Sequence, residues 1–202
     1  MDVDDPRALP IAGARHERAD AAANRVRILE AAVRVLAERG AAGTSIDAVA
    51  CEAGVGKGTV FRRFGDRSGL FQALLDEHLR AFQDAFLFGP PPLGPGAPAQ
   101  ERLAAFLDGL LDLHDGQLEL TLALEKDRWG APIGGYVALS LHAESLIREI
   151  SPALDAPVIA QLLLSALDGK LVRHLRRDAG VSLATIKASM RPLIAGLGIS
   201  RS

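Results

Sequence analysis

The chain of 202 residues carries 23 basic and 25 acidic residues, for a net charge of −2, and 49% of its residues are hydrophobic. This length suits one or two compact domains, and no uninterrupted apolar stretch of about 18 residues is present that could span a membrane. An acidic N-terminus without an apolar core argues against secretion, and Cys51 as the single cysteine excludes an internal disulfide, so we expect a cytoplasmic protein without membrane partners.

Residues 1–19 are charged and poor in large apolar groups, which is typical of a disordered N-terminal arm. An alternative is an ordered role in which Arg15 and Arg18 reach into a minor groove. Between Ala12 and Arg67 the chain holds ten basic and seven acidic residues, whereas the segments on either side are net acidic. The small basic excess therefore lies between Ala12 and Arg67.

A first helix is predicted from Asp20 to Arg39, and Gly40 is expected to end it. Its buried face is formed by an apolar stripe with helical spacing: Ile28, Leu29, Ala32, Val33 and Leu36.

Two short helices are predicted between Thr44 and Phe64, with Gly54 in the left-handed conformation at the turn between them. We expect Thr44 to be the N-cap of the first helix, and the second to begin near Gly56. The second helix turns a cationic face outward, formed by Lys57, Thr59, Arg62 and Arg63. This arrangement is typical of a helix-turn-helix, in which the second helix enters the major groove of DNA.

The run from Val49 to Phe64 resembles the DNA-binding signature of the TetR family of bacterial transcriptional regulators. The matching positions are Val49, Ala50, Ala53, Gly54, Val55, Lys57, Gly58, Thr59, Val60, Phe61 and Phe64. The resemblance covers about residues 24–75 and implies an all-α fold, a homodimer, and release from an operator by a small ligand. Two positions depart from the family's usual pattern. Phe61 stands where the family commonly has a phosphate-contacting Tyr, and Arg62 stands where it often has His.

The predicted DNA-binding residues lie on the second helix of the motif and at two helix starts. They are Thr44, Lys57, Gly58, Thr59, Phe61, Arg62, Arg63 and Arg67. Thr44 and Arg67 are expected to touch flanking phosphates, because helix N-termini favour anions. Gly58 lacks a Cβ where the helix would meet the duplex. Whether Lys57 and the arginines read guanine or hold phosphates stays open.

Helical patterns continue to the end of the chain. A fourth helix is predicted from Asp66 to Phe88, long enough to link two domains, and the proline-rich segment 89–98 is predicted to be a loop. The further predicted helices are Ala99–Asp115, Leu118–Asp127, Gly135–Ile150, Pro157–Asp178 and Ser182–Leu197. The sequence thus predicts an arm (1–19), a three-helix helix-turn-helix domain (20–66) and a C-terminal helical ligand-binding and dimerisation domain (67–202).

Aromatic residues in the C-terminal part suggest a ligand cavity between helices. An ordinary hydrophobic core would explain the same residues equally well. The candidate pocket residues are Phe82, Phe86, Phe106, Trp129, Tyr136 and His142. Their mostly apolar character favours a hydrophobic small molecule.

The last two predicted helices are apolar on two sides, so one face can pack internally and the other against a second copy. The predicted dimer interface comprises Val158, Leu162, Ser165, Gly169, Leu183, Ile186, Met190 and Leu193. The alternative is a monomer whose core uses both faces.

The sequence gives little support for a nucleotide-binding, metal or catalytic site. The glycines around Lys57 lack the spacing of a phosphate-binding loop, and no pair of histidines has metal-binding spacing on a helix, so we expect no metal site, cofactor or catalytic site. For His78 a core or pocket position is favoured, and for Cys51 a small buried residue is favoured over a redox sensor. The predicted function is a ligand-released repressor that binds double-stranded operator DNA; the alternative is a ligand-independent activator or architectural protein.

Overall fold

A computed structural model of the chain describes residues 11–125 and 136–198, and these are all-helical, without strands. The helices are α1 (Ile11–Gly43), α2 (Ile46–Ala53), α3 (Lys57–Phe64), α4 (Arg67–Phe88), α5 (Ala99–Gly116), α6 (Leu118–Glu125), α7 (Tyr136–Ile150), α8 (Ala156–Ala166), α9 (Gly169–Arg173) and α10 (Leu183–Leu197). A π-helical turn, His174–Asp178, continues α9. Within the described ranges no helix is long and apolar enough to cross a membrane.

The chain divides into two compact units between Leu74 and Leu75. The boundary therefore lies inside α4 and not at its start, where the sequence placed it. α4 contributes Leu70, Phe71 and Leu74 to the buried residues of the first unit, and Phe82 and Phe86 to the core of the second.

The first unit is built on α1, whose buried side chains Ile28, Leu29, Ala32 and Val35 lie on one face. The helix begins at Ile11, so the prediction of a disordered arm to residue 19 is wrong for residues 11–19, and residues 1–10 lie outside the described range. Gly40 breaks the helical path with φ 65° and ψ 177°, as expected from its position after the apolar stripe.

The turn between α2 and α3 follows the sequence prediction at Gly54, which has φ 65° and ψ 35°. The backbone N–H of Val55 donates to the carbonyl of Ala50 and closes the end of α2. The N-cap prediction is wrong, because Ser45 caps α2 by accepting from the N–H of Ala48, whereas the buried Thr44 hydroxyl donates to the Gly40 carbonyl. Cys51 is exposed on α2, contrary to the favoured buried position.

The second unit packs α5 against α7 and α10, and α7 against α8. Its core is formed by leucines, isoleucines and three phenylalanines, with His142 among them. The single helix predicted for Pro157–Asp178 is interrupted, since Leu167 ends α8 and Asp168, with ψ 138°, caps α9 by accepting from the N–H of Lys170. At this break the Nδ1 atom of His114 lies 2.6 Å from the carbonyl oxygen of Leu167, so this one carbonyl at the end of α8 has a side-chain partner.

Candidate nucleic-acid interface

α3 is held by a narrow apolar face and presents the rest of its surface outward. Val60 is fully buried, whereas Lys57, Gly58, Arg62 and Arg63 are exposed. Phe61 is 59% exposed, an uncommon state for so large an apolar side chain. A Cβ on Gly58 would meet no protein atom within 4 Å. Packing inside the protomer therefore explains neither the lack of a side chain at Gly58 nor the exposure of the Phe61 ring.

The cations of α3 and of the start of α4 all have partners within the first unit. Lys57 Nζ pairs with Asp47 of α2 at 2.8 Å, and Arg63 donates to the carbonyl of Ala21 of α1 at 2.6 Å. Arg62 donates through Nε to the Gly58 carbonyl at 3.2 Å. Arg67 donates to the Ala41 carbonyl and lies over the ring of Phe71 at 4.8 Å from its centroid.

Two of the residues predicted to contact DNA, Thr44 and Thr59, are buried or half-buried. Thr59 is half-buried, and Thr44 is only 1% exposed with its hydroxyl already bonded to Gly40. A phosphate could not reach the Thr44 hydroxyl in this conformation, so we leave Thr44 out of the proposed contact set. The ion pairs of Lys57 with Asp47 and of Arg34 with Glu52 were not foreseen, because they join residues on different helices.

The candidate pocket residues of the second unit separate into two places. Phe82, Phe86, Phe106 and His142 contact one another: the His142 ring stacks on Phe86 with 4.3 Å between centroids, and Phe106 lies edge-on to it at 5.0 Å. Tyr136 is instead 39% exposed and its hydroxyl accepts a hydrogen bond from Gln161 of α8. Trp129 lies outside the described residues.

The predicted dimer residues also separate. Val158, Leu162 and Ser165 lie exposed along α8, and Leu193 is 57% exposed on α10. Gly169 and Leu183 are half-buried. Ile186 and Met190 are 8% and 7% exposed because they face the core of their own unit, so their placement at an interface is corrected. Within the part of the chain that the structure describes, no cluster of three or more metal-ligating side chains occurs.

Residues 28–74 match the family described as bacterial regulatory proteins, tetR family. The HTH-type transcriptional repressor Rv3405c of Mycobacterium tuberculosis is 30% identical over 138 residues, 68% of this chain and 64% of that protein. The chain thus spans just under two thirds of the length of that relative.

Solved structures share the fold. The TetR transcriptional regulator SCO0520 from Streptomyces coelicolor is 26% identical, with a TM-score of 0.59 over 86% of this chain and 97% of that one. The transcriptional regulator FadR from Bacillus subtilis, in complex with stearoyl-CoA, is 20% identical, with a TM-score of 0.57 over 87% and 99%. The helix-turn-helix geometry, the matched segment and these likenesses together place the chain in the TetR family of bacterial regulatory proteins.

Proposed function

We propose that the chain is a sequence-specific DNA-binding regulator of transcription, acting as a homodimeric repressor. The observation that carries this proposal is the exposed surface of α3, which holds Gly58, the exposed Phe61 and three exposed cations. A helix with this face fits the major groove, with backbone close to the duplex at Gly58 and cations near phosphates. The names of relatives such as the repressor Rv3405c support the same function.

A dimer would place one α3 in each of two half-sites, about 34–36 Å apart or a multiple of that distance. The exposed Val158 and Leu162 of α8 support a second copy as the partner of that face. A small, mainly apolar molecule bound in the second unit would favour a conformer in which the two α3 helices no longer match this spacing. Such an effect requires different affinities of the molecule for the two conformers, and α4, which contributes to both cores, would transmit it.

The alternative is a ligand-independent activator or architectural protein. It is favoured by the direct ring contacts among Phe82, Phe86, Phe106 and His142, which resemble an ordinary core more than a preformed cavity. Such a protein would bind the same DNA without responding to small molecules.

Selection of bound duplexes from a random library by the full-length protein tests the proposal. We expect enrichment of a pseudo-palindrome, and footprinting should protect such a sequence in the DNA beside the chain's own gene. The matched control is the protein with Arg62→Ala and Arg63→Ala together, which should recover much less duplex whether these arginines hold phosphates or read bases. Recovery of duplexes without any shared sequence would contradict specific recognition.

A further inference from the structure

His142 is a polar side chain placed inside an aromatic core. It is only 8% exposed, is stacked on Phe86 and lies edge-on to Phe106. Its Nε2 atom is buried and has no hydrogen-bond partner in the structure. Buried polar atoms are almost always paired, so an unpaired ring nitrogen at this position requires an explanation.

A second unpaired polar atom belongs to Arg102, which precedes Phe106 by one turn of α5. Its Nε atom is buried without a partner, and among the described residues no carboxylate forms an ion pair with its guanidinium. Helix α5, which carries Arg102, packs against α7, which carries His142. Burial and, as a smaller cause, the charge of Arg102 together lower the pKa of His142 to about 4. The site thus combines a neutral imidazole, packed in the cluster of three phenylalanine rings, with a half-buried cation of α5 that has no carboxylate partner among the described residues.

We infer that Arg102 and His142 form the anion-binding end of an effector site, and that this site accepts an amphiphile whose negatively charged head group contacts both side chains and whose apolar body contacts Phe82, Phe86 and Phe106. The inference deepens the proposed ligand-responsive function and rests on it.

The charge of the locus selects the head group. A carboxylate or phosphate oxygen can accept from the Nε–H of Arg102 and from the Nε2–H tautomer of His142, and it neutralises the charge of the half-buried guanidinium. A cationic head would be repelled by Arg102, and a neutral hydroxyl would satisfy hydrogen bonds without compensating the charge. The apolar body would have to part rings that now touch, so binding should involve rearrangement of the cluster and not entry into a preformed cavity.

The probes are four ten-carbon molecules that differ in the head group: decanoate, decyl phosphate, 1-decanol and decylamine, each below its micellar concentration. Binding to the full-length protein is measured by titration calorimetry and by the shift in Tm. We expect binding of decanoate, of decyl phosphate or of both, and these two arms distinguish a carboxylate from a phosphate source. Decanol should bind at least about tenfold more weakly than the better anion, and decylamine should not bind measurably.

Three variants test the residues, and a fourth is the matched control. Arg102→Met and His142→Phe should each weaken binding of the anion by about tenfold or more. Arg102→Lys keeps the charge but loses the planar donor, so it should bind with intermediate affinity. Arg148→Met, which changes an exposed arginine of α7, should leave binding unchanged. Circular dichroism and Tm establish that each variant is folded. If Arg102→Met does not fold, anion binding by Arg102→Lys tests the role of Arg102 instead.

Equal binding of decanol and decanoate, absence of binding by both anions, or unchanged anion binding in the folded Arg102 and His142 variants would each overturn the inference. Operator binding by the same preparations is measured in parallel without probes. Retained operator binding together with failed anion binding refutes the anion site alone, whereas loss of operator recognition by the wild-type chain refutes the proposed function.

Discussion

Lys57 of α3 forms an ion pair with Asp47 of α2, with 2.8 Å between Nζ and Oδ1. Both side chains are about two thirds exposed, so the pair contributes little to the stability of the fold. Its position matters more than its energy, because in the proposed complex with DNA Asp47 would compete with phosphates for the same cation.

Replacing Asp47 with Asn should therefore raise the affinity for operator DNA by roughly two- to fivefold at low salt, with a smaller gain at high salt. Fluorescence anisotropy at two salt concentrations measures this. The control is Glu77→Gln, which alters an exposed carboxylate of α4 paired with Arg80. Weaker binding by Asp47→Asn would show that the pair positions Lys57 and does not compete with phosphate.

Gly58→Ala separates the stability of α3 from its function. The new methyl group meets no protein atom within 4 Å, and alanine is a better helix former than glycine by about 1 kcal/mol, so the free energy of unfolding should rise. Operator affinity should fall by tenfold or more, because in the proposed complex the methyl group would stand where the backbone approaches the duplex. Urea unfolding and anisotropy provide the two measurements.

The matched control is Gly116→Ala at the exposed end of α5, where an added Cβ is equally unobstructed. It should stabilise the protein slightly and leave DNA binding unchanged. Operator affinity that survives Gly58→Ala would mean that α3 does not approach DNA at this position.

Arg62→Ala tests a phosphate contact through its dependence on salt. If Arg62 holds one phosphate, the slope of log affinity against log salt should decrease by about one unit, with similar loss on specific and nonspecific DNA. A guanine contact would instead reduce the preference for the selected sequence. The control is Arg177→Ala, an exposed arginine of the second unit that pairs with Glu119. Unchanged slope and unchanged preference would remove Arg62 from the contact surface.

The sequence predicted the features that depend on local pattern. Gly54 was identified as the turn because it follows apolar residues spaced three and four positions apart, as on one face of a helix. Its left-handed conformation is confirmed. The cap at Ser45 was missed because Thr44 beside it can make the same bond. The break at Leu167 and Asp168 was missed because the apolar period continues across it, although Asp168 followed by Gly169 was an available signal for a new helix start.

Contacts between segments that are far apart in the chain could not be predicted from the sequence. Nothing in the sequence indicates that Phe106 of α5 and His142 of α7 lie in contact, or that Asp47 forms an ion pair with Lys57. The two-sided apolar pattern of α10 likewise could not show which side is internal. The structure assigns Ile186 and Met190 to the core and leaves Leu193 outside.

Leu162→Glu should disrupt the proposed dimer without unfolding the protomer. Leu162 is 62% exposed on α8, one turn from the exposed Val158, so a charge there costs the isolated protomer little but would be buried against a partner. Sedimentation at micromolar concentration should show a monomer, and operator affinity should fall because only one half-site can be held.

Two comparisons make this result specific. Leu87→Glu, on an exposed apolar residue of α4 outside the predicted interface, should remain dimeric. Met190→Ala, in the protomer core, should lower the free energy of unfolding by about 2 kcal/mol or more and leave the folded fraction dimeric. A Leu162→Glu protein that sediments as the wild type does would place the interface elsewhere.

His142 should make the second unit sensitive to acid. Its pKa in the folded protein is lowered to about 4 by burial and by Arg102, against an ordinary value of 6.5, so the unfolded chain binds the proton more readily. Stability is therefore unaffected above pH 6.5 and decreases as the pH falls from 6.5 to about 4, by up to about 3 kcal/mol from this group. In His142→Phe, which can keep the ring contact with Phe86, this part of the decrease should disappear. Urea unfolding of both proteins at pH 7.5, 5.5 and 4.5 measures it, and parallel pH profiles would show that protonation of His142 is not coupled to folding.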